Sequence, residues 1–206
     1  MDNKALLLID NINNVGKYNY VLSSDRKKKA DRYKFEADKK RCMLAEFLLR
    51  DALIKFGYKC DGEINYIYNE HEKPYLRDFS DVFFSISHSG EYVVCIVSNV
   101  EVGIDIEKVA DINLDIAKRF FAKGEYEMIM ALENENDRLD AFYSIWTKKE
   151  AYIKSIGQGI SFGFENFDTT SKDFTYKFQE LDLASGYKCS LCSKEEIAIK
   201  VKQKML

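Results

Sequence analysis

An unbroken apolar run from Ala5 to Ile9, followed by polar residues, predicts a buried strand over 5–10. From Ser24 the spacing becomes helical, and Leu44, Phe47, Leu48 and Ile54 carry one long helical region to Gly57, a natural stop. Strand-like runs are predicted over 63–69, 81–87 and 92–98, the last two joined by the hairpin-length turn His88-Ser89-Gly90-Glu91. The order then recurs. A strand is expected over 102–106, helices over about 113–132 and 137–156, and strand-like runs near 161–167, 174–181, 187–192 and 196–202. The pattern predicts an α+β protein of two similar halves, 1–100 and 101–206, related by a pseudo-twofold axis. Each half is a small, mainly antiparallel sheet packed with a long helix. No residue-level repeat accompanies this, so the duplication rests on element order alone. Halves joined with almost no linker pack together, and the cleft between them is the expected active site.

Composition narrows the class. Among 206 residues 46% are apolar and only one is Pro, which excludes disordered and fibrous chains. The net charge is −3, too acidic for a wholesale grip on nucleic acid, yet nine basic residues face four acidic ones between Asp25 and Arg41. That tract is either a solvated helix face or a phosphate-recognition surface. No apolar run is long enough to span a membrane or act as a secretory signal, so a cytoplasmic protein is expected. Five cysteines at scattered spacing argue for reduced thiols. Cys189 and Cys192 form a CxxC, but on a strand residues three apart point to opposite faces.

In Glu101–Lys108, EVGIDIEK, alternation turns Val102, Ile104 and Ile106 one way and Gly103, Asp105 and Glu107 the other. Two carboxylates about 7 Å apart on one strand face form either a wet acidic edge or oxygen ligands for a hard cation such as Mg²⁺. Around the helix from Asp137, Leu139, Phe142, Tyr143, Trp146 and Ile153 form an apolar stripe, with Glu150 near its centre and Lys148 opposite. A carboxylate aimed into a packed face must be paired, protonated or bound to metal. The plain alternative for Glu150 is an i,i+4 pair with Lys154. Asp105, Glu107 and Glu150 are thus a candidate three-carboxylate metal site. Upstream, Ser87 and His88 stand at a strand-to-turn junction with hydroxyls and a Gly suited to phosphate, and Lys73 precedes the single Pro.

VGIDIEK at 102–108 and WTKKEAYIK at 146–154, with SISHSG at 85–90 and Lys73-Pro74, resemble the 4′-phosphopantetheinyl transferases, specifically their monomeric, surfactin-synthetase-activating branch. The resemblance covers nearly the whole chain and is strongest from Lys73 to Gly163. It implies transfer of the phosphopantetheine arm of coenzyme A to a serine of an acyl or peptidyl carrier protein, with Mg²⁺ (Mn²⁺ also suits) and release of 3′,5′-ADP. By the same resemblance Asp105, Glu107 and Glu150 hold the metal, Glu150 is a base for the incoming serine, and Lys154 lies near the transferring phosphate. Arg26, Lys29, Arg41, Lys73, Ser87, His88 and Lys149 match coenzyme-binding positions. Cys42 stands where the family often has a hydroxyl, and Glu125 matches a supporting acidic position. The stretch 112–123, with Lys118, Arg119, Lys123 and exposed-looking Phe120 and Phe121, suits an acidic, partly apolar carrier, or is simply an amphipathic helix. The competing readings are a metal-dependent hydrolase of nucleotide pyrophosphates and a noncatalytic coenzyme A or carrier-binding module.

Overall fold

A computed structural model describes residues 3–203, so the outermost residues of both expected halves, 1–2 and 204–206, lie outside it. The first apolar run forms β1 (Lys4–Asn11), and the helical region that follows is two helices, α1 (Ser24–Asp31) and α2 (Glu36–Phe56), rather than one. Gly57, at φ 113°, closes α2 as expected, because a left-handed residue there costs a glycine little. Short β2 (Tyr66–Tyr68) and β3 (Pro74–Leu76) pair as a ribbon, followed by β4 (Phe83–Ser89) and β5 (Tyr92–Ser98). The β4–β5 hairpin is tighter than the sequence suggests. His88 and Ser89 belong to the strand, Ser89 pairs with Tyr92, and only Gly90 and Glu91 turn.

The second part begins with β6 (Val102–Lys108), then α3 (Asp115–Phe120) and α4 (Lys123–Met130) in place of one helix, and α5 (Glu135–Ile156). Asn134 caps α5 by accepting the Asn136 amide. The run 161–167 does not become a strand. Gly157, Gly159 and Gly163 all take positive φ, and 3₁₀ turns at Ile160–Phe162 and Phe164–Asn166 fill the segment. Then follow β7 (Lys177–Glu180), β8 (Tyr187–Ser193) and β9 (Ala198–Gln203).

Two principal sheets result, ordered β4-β5-β1-β9 and β6-β8-β7. All pairings within them are antiparallel except one: β9 leaves its sequence neighbours and lies parallel to β1, with Ala5 opposite Ile199. On one face of the first sheet, Leu6 and Leu8 pack with Leu44, Leu48 and Leu49 of α2. On the other face, Leu7 and Ile9 meet Ile104, Ile106 and Leu191. A third cluster joins Phe121, Phe142, Ile145 and Ile153 beneath α5. All five cysteines are free thiols, and burial raises those of Cys95, Cys189 and Cys192. Among the described residues no helix is long and apolar enough to cross a membrane.

Candidate active site

The face of β6 opposite its Val and Ile residues receives α5, and Gly103 is the reason the two come so close. A Cβ on Gly103 would stand 1.9 Å from the Ala151 carbonyl oxygen and 2.4 Å from the Ser155 nitrogen, so only glycine admits the helix at this depth. The approach brings Lys154 of α5 onto β6: its Nζ donates to Asp105 Oδ1 at 2.6 Å and to Ser87 Oγ at 3.0 Å. Ser87 Oγ donates in turn to Asp105 Oδ1 at 2.7 Å. Asp105 is 2% exposed, and among the described residues its Oδ2 has no hydrogen-bond partner.

These groups open into a cavity of about 620 Å³ whose walls come from both parts of the chain. Asp105, Glu107, Glu150 and Lys154 of the second part line it together with Ser87, His88 and Lys73 of the first. Arg26, Lys29, Cys42, Tyr66 and Tyr68 also line it. The Arg26 guanidinium sits 5.8 Å from the Tyr66 ring centre and 3.6 Å from the fully buried Glu46.

Electrostatics at the acidic end are set by burial first. Burial pushes the Glu150 carboxyl up to about 6, with Lys154 pulling it down and Asp105 and Glu107 adding to the rise. Glu107 is likewise raised by burial, against the hydrogen bond from Ser89. Burial works against the Lys154 ammonium, but Asp105 and Glu150 overcome it and hold the proton more firmly than usual. At His88 the cavity wall lowers the ring pKa, and Lys154 and Arg41 lower it further.

The donor set suits a hard divalent cation: three carboxylates, desolvated and mutually repelling, one with an unpartnered buried oxygen. Among the described residues, however, no three His, Cys, Asp or Glu side chains group tightly enough to cage an ion by themselves. Mg²⁺ in general binds through one or two carboxylates together with water and substrate phosphate rather than in an all-protein cage.

Two expected coenzyme-binding residues do not line the cavity. Lys149 is fully buried on another side of α5, donating to Glu125 Oε2 (2.7 Å) and to the carbonyls of Phe164 and Phe167, with the Phe167 ring 4.2 Å away. One residue along a helix turns the side chain by about 100°, which carries Lys149 out of reach of the pocket that Glu150 faces. Arg41 binds Asp38 (2.6 Å) and the Gly90 carbonyl, tying α2 to the β4–β5 turn. Lys73 does line the cavity but is already engaged with Glu101 and the Ser155 carbonyl. In 112–123, Lys118, Arg119, Phe120 and Lys123 are exposed, whereas Phe121 is a core residue stacked on Phe142.

Sequence comparison supplies the family. Residues 101–201 match the 4′-phosphopantetheinyl transferase superfamily and residues 15–100 match the family described as 4′-phosphopantetheinyl transferase, N-terminal. The chain is 37% identical to the 4′-phosphopantetheinyl transferase gsp of Aneurinibacillus migulanus over 190 residues, 85% of this chain and 79% of that protein. It belongs to the 4′-phosphopantetheinyl transferase family. Within that family it is also 37% identical to Sfp of Bacillus subtilis (strain 168) over 147 residues, 71% of this chain and 65% of the relative. The mouse L-aminoadipate-semialdehyde dehydrogenase-phosphopantetheinyl transferase is 34% identical over 134 residues, 60% of this chain and 42% of the relative.

Sequence reasoning missed Ser89 as a site residue, although it sits beside His88. Its Oγ donates to Glu107 Oε2 at 2.6 Å. The signal was the alternation of Ser85, Ser87 and Ser89, which puts three hydroxyls on one strand face.

Proposed function

We propose that this chain transfers the 4′-phosphopantetheine arm of coenzyme A to a serine hydroxyl of an acyl or peptidyl carrier protein and releases 3′,5′-ADP. The observation that carries this reading is that Asp105, Glu107, Glu150 and Lys154 line one cavity together with the basic Arg26 and Lys29 and the aromatic Tyr66 and Tyr68, in a chain of this family. Arg26, Lys29 and His88 offer positive and hydrogen-bonding groups to the nucleotide phosphates, beside tyrosines that suit a base. Residues 1–100 supply this wall and residues 101–206 supply the carboxylates. Both walls come from one chain, which supports a monomeric enzyme, and we assign it to the cytoplasm.

Asp105, Glu107 and Glu150 would hold Mg²⁺ or Mn²⁺, which when bound neutralises charge on the pyrophosphate and its leaving oxygen. Lys154, kept protonated by Asp105 and Glu150, stabilises the transferring phosphoryl oxygens. The serine oxygen forms a bond to the phosphorus that carries pantetheine, while the bond from that phosphorus to the bridging oxygen breaks. The bridging oxygen departs with 3′,5′-ADP, and the hydroxyl proton passes to Glu150, directly or through one water. Burial raises the affinity of the Glu150 carboxylate for a proton, which suits that role.

The carrier would dock on 112–123, where Lys118, Arg119 and Lys123 surround the exposed Phe120. Reversing the charge at Lys118 and Arg119 should raise the apparent KM for carrier and leave that for coenzyme A unchanged; unchanged carrier kinetics would remove this surface from the reading. The transfer itself is tested by intact mass spectrometry of an apo carrier incubated with the enzyme, coenzyme A and Mg²⁺. The carrier should gain one phosphopantetheine arm, and the gain should vanish with EDTA and with Glu150→Gln. Hydrolysis of coenzyme A without carrier modification would favour the pyrophosphate hydrolase instead, and binding without turnover the noncatalytic module.

A further inference from the structure

The strands β4 and β6 belong to different sheets and share no backbone ladder among the described residues, yet they lie side by side at the cavity. Serine hydroxyls take the ladder's place. Ser85 Oγ accepts the Ile104 amide at 3.1 Å, Ser89 Oγ accepts the Lys108 amide at 3.1 Å, and Ser87 Oγ binds Asp105 between them. A hydroxyl has one proton to give. Because the Lys108 amide hydrogen already points at Ser89 Oγ, the Ser89 proton is directed away from it, onto Glu107 Oε2 at 2.6 Å. That is the one hydrogen bond the Glu107 carboxylate accepts among the described residues. Asp105, by contrast, is held by both Ser87 and Lys154.

We infer that Ser89 is a positioning residue: locked by the Lys108 amide, its hydroxyl fixes the rotamer of Glu107 and so sets the affinity of the acidic end for a divalent cation. Ser89 lies outside the ring of cavity-lining residues and acts only through Glu107. The two neighbouring serines divide the labour. Ser85 closes the seam without touching a carboxylate, whereas Ser89 closes the seam and aims one. Partners that orient metal-binding side chains are commonly worth about ten- to a hundredfold in metal affinity. The inference rests on the proposed metal-binding role of Asp105, Glu107 and Glu150, and the test separates the two.

Mn²⁺ is titrated into the full chain with coenzyme A bound, and the free ion is counted by electron paramagnetic resonance, so that no turnover enters the readout. Ser89→Ala should weaken Mn²⁺ binding by about tenfold. Ser89→Thr, which keeps the hydroxyl, should restore it, and Ser85→Ala, which opens the same seam, should cost thermal stability with Mn²⁺ affinity retained. If Ser89→Ala binds Mn²⁺ as the unaltered chain does, if the Thr variant is as weak as the Ala variant, or if Ser85→Ala weakens binding equally, Ser89 has no positioning role. If the unaltered chain itself binds no Mn²⁺, the metal reading falls first and the inference with it.

Discussion

Lys149 and Glu150 are neighbours in sequence that serve different sides of one helix. Burial lowers the Lys149 ammonium and Glu125 opposes that, so the pair survives only because carbonyls, an aromatic face and the carboxylate surround the charge. Removing one partner, as in Lys149→Met, should cost about 3–5 kcal/mol in urea unfolding while coenzyme A affinity stays unchanged. A weakened affinity with unchanged stability would put Lys149 back at the coenzyme. His88 offers a second measurement at this scale. Desolvation at the cavity lowers its ring pKa, and Lys154 and Arg41 lower it further, although the residue is exposed overall. A bound phosphate favours the protonated form, so an NMR titration should show the His88 pKa rising when coenzyme A is added. At single positions the sequence was informative where chemistry and periodicity agreed: Asp105, Glu107 and Glu150 do face one cavity. Lys149 came from the family resemblance alone, and its burial against Glu125 could not be read from the apolar stripe, which shows one buried face where α5 is buried on more than one. Ile145 and Ile153 pack into the third core cluster, while Thr147 bonds Ser190 across the other side.

Among the elements, the depth at which α5 sits on β6 is the decisive relation. Gly103→Ala places a methyl group against helix backbone, which cannot yield as a flexible side chain would. Overpacking of this kind costs about 1–3 kcal/mol. It also pushes Lys154 away from Asp105, so transfer activity should fall more steeply than the melting temperature predicts; a full-rate Gly103→Ala enzyme would show that the site tolerates a displaced helix. The strand alternation in EVGIDIEK made the opposed faces of β6 readable, but not the need for Gly at 103, which depends on a helix some fifty residues later. Likewise 161–167 carries strand-like residues, and it is the positive φ of the flanking glycines, a tertiary outcome, that folds the segment into 3₁₀ turns.

For the molecule as a whole, two sheets with one long helix each were legible from element order, since local periodicity reports local structure. The partner of the last strand was not. The run 196–202 reads as a continuation of its own neighbourhood, and nothing local announces that it crosses to β1, with the Ala198 amide bonded to the Asn3 carbonyl at 3.0 Å. Ending the chain before Ala198 should therefore damage the distant half: β1 would lose its parallel partner and present an open edge, and the truncated protein should aggregate on mild heating. A monodisperse truncated protein of normal stability would contradict this. The same pairing bears on the order of folding. An internal strand near residue 5 is completed only by a neighbour near residue 199, so most of the intervening chain has to be in place before that pairing forms. The part of the chain that carries Ser87 and His88 therefore does not close as an early, independent event, and both walls of the cavity reach their final form together.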